Sequence, residues 1–321
     1  MRAPAIRTTS IHDWSASALQ AAKDRQRVAV VLPALNEERT IGTIVNAIRE
    51  DLATGVGPLV DDIVVVDNNS TDLTAEVATA AGARVIQCGD IFPDLPFRRG
   101  KGEAMWRGVA ATDADLVVFV DADLESFDSQ FVVALLGPLL TDPAISFVKA
   151  GYARPPLDPL QPSVGGGRVT ELMARPLINA FWPELADILQ PLAGEYAARR
   201  SLLRRLPFRA GYGVDIGLLI DAYRTVGSDG LAQVDLRRRW HRHSDLAPLG
   251  RMAAEVLQTA LDRLKSEGRI PADLHVENVL AQPDYTADPV RVVAHDIDTV
   301  ERPPLDDVHG IDQPNRQPAT K

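Results

Sequence analysis

Two aspartates, Asp121 and Asp123, follow directly on the apolar run Leu116–Val120. Charges at the end of a buried strand cost free energy unless something binds them. Residues two apart in extended backbone project the same way, so both carboxylates leave the strand end on one side. Such a pair suits a hard divalent cation that bridges phosphate oxygens of a substrate. Asp-x-Asp alone serves equally well as a solvated loop with two local caps, so its neighbours decide. Pro33-Ala34-Leu35-Asn36-Glu37-Glu38 follows one apolar run, and Asp67-Asn68-Asn69-Ser70-Thr71-Asp72 follows another. Gly100-Lys101-Gly102-Glu103 precedes the helix that leads to the aspartates. That lysine does not belong to a P-loop, which needs an earlier glycine at fixed spacing and Ser or Thr after the lysine. No Gly-x-Gly-x-x-Gly follows a strand, so no nicotinamide site is signalled.

The elements that must position these residues are short and regular. Val28–Leu32, closed by Pro33, reads as a buried strand, as do Ile63–Val66, Val85-Ile86, Leu116–Val120 and Ile145–Lys149. Between them, Ile41, Ile44, Val45 and Ile48 recur at helical spacing, with Asn36 as the expected N-cap and Glu37 and Glu38 in the first turn. Further helices are expected over 73–81 and 101–111, and around Phe131, Leu135, Leu136 and Leu139. Strands alternating with helices predict an α/β fold, a mostly parallel sheet covered on both faces. Ligands in such sheets sit beyond the carboxyl ends of the strands, where all three polar clusters fall.

The second half is less regular. Gly165-Gly166-Gly167-Arg168 opens a helix with Leu172, Met173, Leu177 and Ile178 on one face. Loops then carry Gln190–Glu195 and Gly211-Tyr212-Gly213-Val214-Asp215. Leu249, Met252, Val256, Leu257, Leu261 and Leu264 form a helical stripe, read as core or as a subunit contact. We expect a first half over 1–150, a second over 151–282, and a tail over 283–321 that is extended and, beyond Glu301, disordered.

Composition narrows the classes. The 321 residues are 45% apolar and 24% charged, enough for a sizeable core. Acids outnumber bases 44 to 34, for a net charge of −10, which argues against nucleic acid as a partner. The basic run Arg237-Arg238-Arg239-Trp240-His241-Arg242-His243 is too isolated to change that. A single cysteine, Cys88, excludes an internal disulfide and fits a reducing, cytoplasmic setting. Met1–Gln20 has no signal-peptide core, and no run approaches the eighteen or so apolar residues of a membrane span.

In this order, the clusters at 33–38, 67–72, 100–103 and 121–123 resemble GT-A glycosyltransferases of the family-2-like type. The strings Gly165–Leu172, Ala174–Leu177, Gln190–Ala198, Leu206–Phe208 and Gly211–Asp221 resemble the glucosyl-3-phosphoglycerate synthases in particular. The resemblance spans about Val28 to Leu264. It implies a GT-A fold and retaining transfer of glucose from UDP-glucose to the 2-hydroxyl of 3-phosphoglycerate, by a homodimer without membrane contact. It implies that Pro33, Ala34, Leu35 and Glu37 hold uracil and ribose, that Asn68 and Lys101 contact the nucleotide, and that Asp121, Ala122 and Asp123 frame the diphosphate. Asp123 and His241 are the implied ligands of Mg²⁺, with Mn²⁺ also suited to a carboxylate–imidazole pair. His241 is preferred to His243 because it keeps the family's spacing from Gly211–Val214. Gly167, Arg168 and Thr170 would receive the phosphoglycerate, with Tyr212 and Asp215 beside the sugar and the acceptor. Asp121, Asp123 and Asp215 are thus the catalytic candidates. Arg168 offers an anion a forked, charge-assisted grip in a net-negative protein.

Three departures from the family pattern stand out. Ala122 replaces a serine between the aspartates, Asp215 is one methylene shorter than the usual glutamate, and His243-Ser244 stands for Asn-Arg. Asn68 also occupies a position that is often serine. Asp215 and Asn68 leave open a mannosyl-3-phosphoglycerate synthase using GDP-mannose. A non-catalytic nucleotide-sugar-binding protein is the alternative from another class.

Overall fold

The computed structural model describes residues 6–153, 167–238 and 246–308. Among the described residues twelve strands run in chain order: β1 (Arg7–Ser10), β2 (Val28–Ala34), β3 (Asp62–Asp67), β4 (Arg84–Gln87), β5 (Leu116–Phe119), β6 (Phe147–Ala153), β7 (Tyr196–Arg199), β8 (Phe208–Arg209), β9 (Leu231–Arg238), β10 (Val279–Asp284), β11 (Arg291–Asp296) and β12 (Glu301–Arg302). The α-helices are α1 (Ala16–Lys23), α2 (Ile41–Leu52), α3 (Thr74–Ala81), α4 (Lys101–Ala110), α5 (Gln130–Thr141), α6 (Arg175–Phe181), α7 (Arg200–Leu203), α8 (Val214–Val226) and α9 (Leu246–Ser266).

Eight strands form one sheet in the order β1-β9-β6-β7-β5-β2-β3-β4. All its pairings are parallel except those of β7, which runs against both β5 and β6. Alternation along each strand feeds two cores. Val28, Val30 and Leu32 of β2 join one, while Val31 joins the other; Leu116 and Val118 of β5 face away from Val117 and Phe119. Burial on both faces is why these strands are continuous apolar runs. This is the mostly parallel, doubly covered GT-A sheet, with two small antiparallel sheets, β10-β11 and β8-β12, added to it.

Several expectations need correction. Pro33 does not close its strand: β2 continues to Ala34. Asn36 is not the cap of α2, which begins five residues later with Thr40 at its N-cap. Asn36 has a left-handed backbone (φ 59°), and its Oδ1 accepts the Thr71 N–H at 2.8 Å. The boundary at residue 150 falls inside β6, and the second half contributes β7 and β9 to the same sheet. Leu172 is 78% exposed, so the stripe expected at 172–178 is not one buried face.

The tail differs most. Residues 283–308 include half of the β10-β11 hairpin, and β12 pairs with β8. Leu305 is fully buried. Arg302 inserts beside α4, its Nε 2.6 Å from Glu103 Oε2. Acidic, proline-containing composition argued for disorder beyond Glu301, but over 302–308 a handful of anchoring contacts outweighs it; residues 309–321 lie outside the described residues.

Candidate active site

The carboxyl ends of β2, β3 and β5 open on one cavity of about 400 Å³, within the range of small-ligand pockets. Pro33, Ala34, Leu35, Glu37, Asn68, Lys101, Asp121, Ala122 and Asp123 all line it, as does Tyr212. The structure thus brings together residues spread over half the chain.

Two sequence clusters interlock to build the cavity's β2–β3 side. The Asn36 N–H donates to Ser70 Oγ at 2.9 Å and the Glu37 N–H to Thr74 Oγ1 at 2.8 Å. In return, the Leu73 N–H donates to Glu38 Oε2 at 2.9 Å. Loop backbone that lacks a helix or sheet partner is satisfied by these side chains. Asn68 donates its Nδ2 to the Gly100 carbonyl at 2.7 Å, joining the β3 end to the start of α4. Thr40 donates its hydroxyl to the Ala122 carbonyl at 2.6 Å and so fixes the aspartate loop from α2.

The glycines around Lys101 serve packing. A Cβ at Gly102 would stand 1.7 Å from the Arg209 carbonyl, so only glycine lets α4 begin against β8. That contact delivers Lys101 to the cavity floor, where its Nζ lies 2.9 Å from Asp121 Oδ1 and 3.0 Å from Asp215 Oδ2. Burial opposes the Lys101 charge, but the two carboxylates outweigh it and hold its pKa well above the usual range. Asp215 sits in the first turn of α8 and is 5% exposed. Burial pushes its pKa up, and Lys101 and Lys149 pull it back. Asp121 is half-buried in this pair, whereas Asp123 is exposed and faces the cavity.

The remaining expected site residues stand apart. Gly167 and Thr170 are buried and Arg168 is exposed; none of the three lines the cavity. His241 and His243 lie outside the described residues, as do Gly165 and Gly166. Among the described residues no three His, Cys, Asp or Glu side chains gather as a metal cluster. The residues present still fit a divalent cation. A hard ion that keeps water and phosphate oxygens in its shell needs one or two protein carboxylates, and Asp121 and Asp123 supply that donor chemistry at the cavity.

Sequence reasoning missed Arg99, Gly211, Glu255 and Asp298 in the cavity wall. It also missed the charge layer beneath. Lys149 on β6 is fully buried, its Nζ 4.1 Å above the Tyr196 ring and 3.4 Å from the Asp215 carbonyl. A lysine ending an apolar strand was the available signal. Burial lowers its pKa to about 8, partly offset by Asp215. The folded protein therefore binds this proton less tightly than the unfolded chain. Between pH 8 and the ordinary lysine value of 10.5, stability from this group rises with pH, by at most about 1.4 kcal/mol per unit. Urea unfolding at pH 8, 9 and 10 should show that component in the native protein and not in Lys149→Met. Parallel profiles would refute it.

Glycosyl transferase family 2 is the family whose sequence model matches, over residues 29–164. The chain is 49% identical over 251 residues to the glucosyl-3-phosphoglycerate synthase of Mycolicibacterium smegmatis, covering 78% of this chain and 82% of that one. Among solved structures, that of glucosyl-3-phosphoglycerate synthase from Mycobacterium tuberculosis with Mn²⁺, UDP-glucose and phosphoglyceric acid superposes with a TM-score of 0.80 at 42% identity, covering 95% of this chain and 99% of that one. Mannosyl-3-phosphoglycerate synthase from Rubrobacter xylanophilus superposes with a TM-score of 0.87 at 38% identity, covering 94% and 97%. No helix among the described residues is long and apolar enough to cross a membrane.

Proposed function

The chain belongs to the glucosyl-3-phosphoglycerate synthase family, and from that membership together with the cavity we propose that it transfers glucose from UDP-glucose to the 2-hydroxyl of 3-phosphoglycerate, with retention at the sugar. The observation that carries the reading is the convergence of the β2, β3 and β5 ends on one cavity lined by Lys101 and Asp121, with Asp215, which does not line it, paired to that lysine from beneath. Pro33, Ala34, Leu35, Glu37 and Asn68 form the nucleoside side. Asp123, with Asp121 beside it and His241 as the second protein ligand, would hold the divalent cation. When bound, that ion neutralises charge developing on the diphosphate, and Mg²⁺ and Mn²⁺ both suit the donors.

The chain's own residues do the rest by positioning. Lys101 holds Asp121 and Asp215 apart as counter-charge. Asp215, paired with that lysine, faces the sugar hydroxyls, and Tyr212 borders the acceptor side. Gly167, Arg168 and Thr170 receive the acceptor's carboxylate and phosphate. No side chain is assigned as covalent nucleophile; in a front-face displacement a diphosphate oxygen takes the proton of the attacking hydroxyl. The setting proposed is the cytoplasm and the working form a homodimer.

The high TM-score to the mannosyl enzyme, with Asp215 and Asn68 in place of glutamate and serine, supports a second reading in which GDP-mannose is the donor. A donor-by-acceptor turnover grid, with Mg²⁺, Mn²⁺ and chelator, separates the two. UDP-glucose with 3-phosphoglycerate should give the highest kcat/KM, and chelator should abolish it. A GDP-mannose preference transfers the assignment to the second reading, and no turnover with any pair refutes both.

A further inference from the structure

Helix α8 starts without a side-chain cap of its own. Its N-cap is Gly213, and no side chain of the turn accepts from its first N–H groups. Orphan donors at a helix start need an acceptor, and a negative charge there is favoured by the helix dipole. The acceptor comes from another helix. Glu255 of α9 takes the Tyr212 N–H on Oε2 at 2.5 Å, and the nearby Gly213 backbone also favours its charge against a burial that pushes its pKa up. Gly211 makes the approach possible, since a Cβ there would stand 2.1 Å from Glu255 Oε2. One turn further along α9, Thr259 closes over the same place: a Cβ at Gly213 would meet its Oγ1 at 2.1 Å. Two residues beyond the clamped Gly213 stands Asp215, paired with Lys101.

We propose that Glu255 is a positioning residue for glycosyl transfer: it caps α8 from outside and thereby holds the Asp215 carboxylate in register with Lys101 at the cavity floor. The role in transfer rests on the reading of function above; the clamp itself rests on the hydrogen bonds. Glu255 makes no step of the chemistry itself, because its carboxylate is engaged by the Tyr212 backbone N–H.

The test uses the full chain with three variants, Glu255→Ala, Glu255→Gln and Glu255→Ala combined with Asp215→Asn. It reads steady-state kinetics and amide hydrogen exchange at Tyr212 and Gly213. Glu255→Ala should lower kcat about 10- to 100-fold, the fold-change expected for losing charge-assisted hydrogen bonds, with the KM for UDP-glucose unchanged within about twofold. Exchange at the two amides should accelerate by a comparable factor. Glu255→Gln keeps an oxygen acceptor and should recover most of the kcat. In the Asp215→Asn background Glu255→Ala should add nothing further, because both act through one carboxylate. A Glu255→Ala enzyme with native kcat, fully additive losses in the double variant, or unchanged exchange overturns the proposal. Should Glu255→Ala fail to fold, Glu255→Met, which keeps the bulk and removes the acceptor, takes its place: faster exchange at Tyr212 and Gly213 supports the proposal and native exchange overturns it. A native protein that turns over no donor refutes the functional reading, and the exchange measurement then decides the clamp alone.

Discussion

Asp123→Ala is expected to leave a folded protein that has lost about 1,000-fold or more of its metal-dependent turnover, the several kcal/mol of charge stabilisation a bound cation supplies. The two halves of that expectation have separate causes. Folding survives because Asp123 is exposed while the loop around it is fixed by other groups. Ala122 and Leu124 are buried, and the Ala122 carbonyl is held by Thr40. Exposed substitutions of this kind change stability by about 0.5 kcal/mol or less. Activity fails because the neighbouring carboxylate cannot replace it: Asp121 Oδ1 is committed to Lys101 at 2.9 Å. Turnover at saturating Mn²⁺ and Mg²⁺, beside thermal melts of both proteins, checks the pair of claims. Near-native turnover with native metal affinity removes Asp123 from the ligand set.

Arg302→Met should destabilise the fold by about 3–5 kcal/mol, the range for stripping one partner from a buried ion pair. Glu103 is fully buried, and its carboxylate receives Arg302 Nε at 2.6 Å, Arg302 Nη2 at 2.8 Å and Arg107 Nε at 2.7 Å. Without Arg302 one guanidinium must balance a site built for two, and the stacking of Arg302 over Trp106 at 5.5 Å is lost as well. Arg302→Lys should recover only part, because a lysine cannot reproduce the two-pronged grip. Equilibrium urea unfolding measures the difference, and a loss under about 1 kcal/mol would show that the cluster relaxes around the gap.

These two residues mark the extremes of what a sequence displays. The place of Asp123 at the cavity was legible because its signal is local: acids directly after a strand whose both faces are buried stand out against Val117, Val118 and Phe119. The strands themselves were legible for the same reason. Arg302 was not, since its burial depends on a glutamate 199 positions away, and the acidic surroundings of the tail pointed to disorder. Asn36 failed similarly. Its type suits a helix cap, yet its side chain serves the backbone of a loop 35 residues on. Lys149 is an ionisable group inside an apolar strand, and its contact with Asp215, 66 positions away, exists only in the fold. The cavity lining from β2, β3, α4 and β5 could be read from pattern and resemblance; its closure by Glu255 and Asp298 required the fold.

The order in which the polypeptide is made gives β12 one more meaning. A ribosome releases the chain from its N-terminus, so Asp298 and Arg302 emerge after every strand of the large sheet has been synthesised. A nascent protein that has already paired β2, β3 and β5 still has an unfinished pocket wall and an α4 without its anchor.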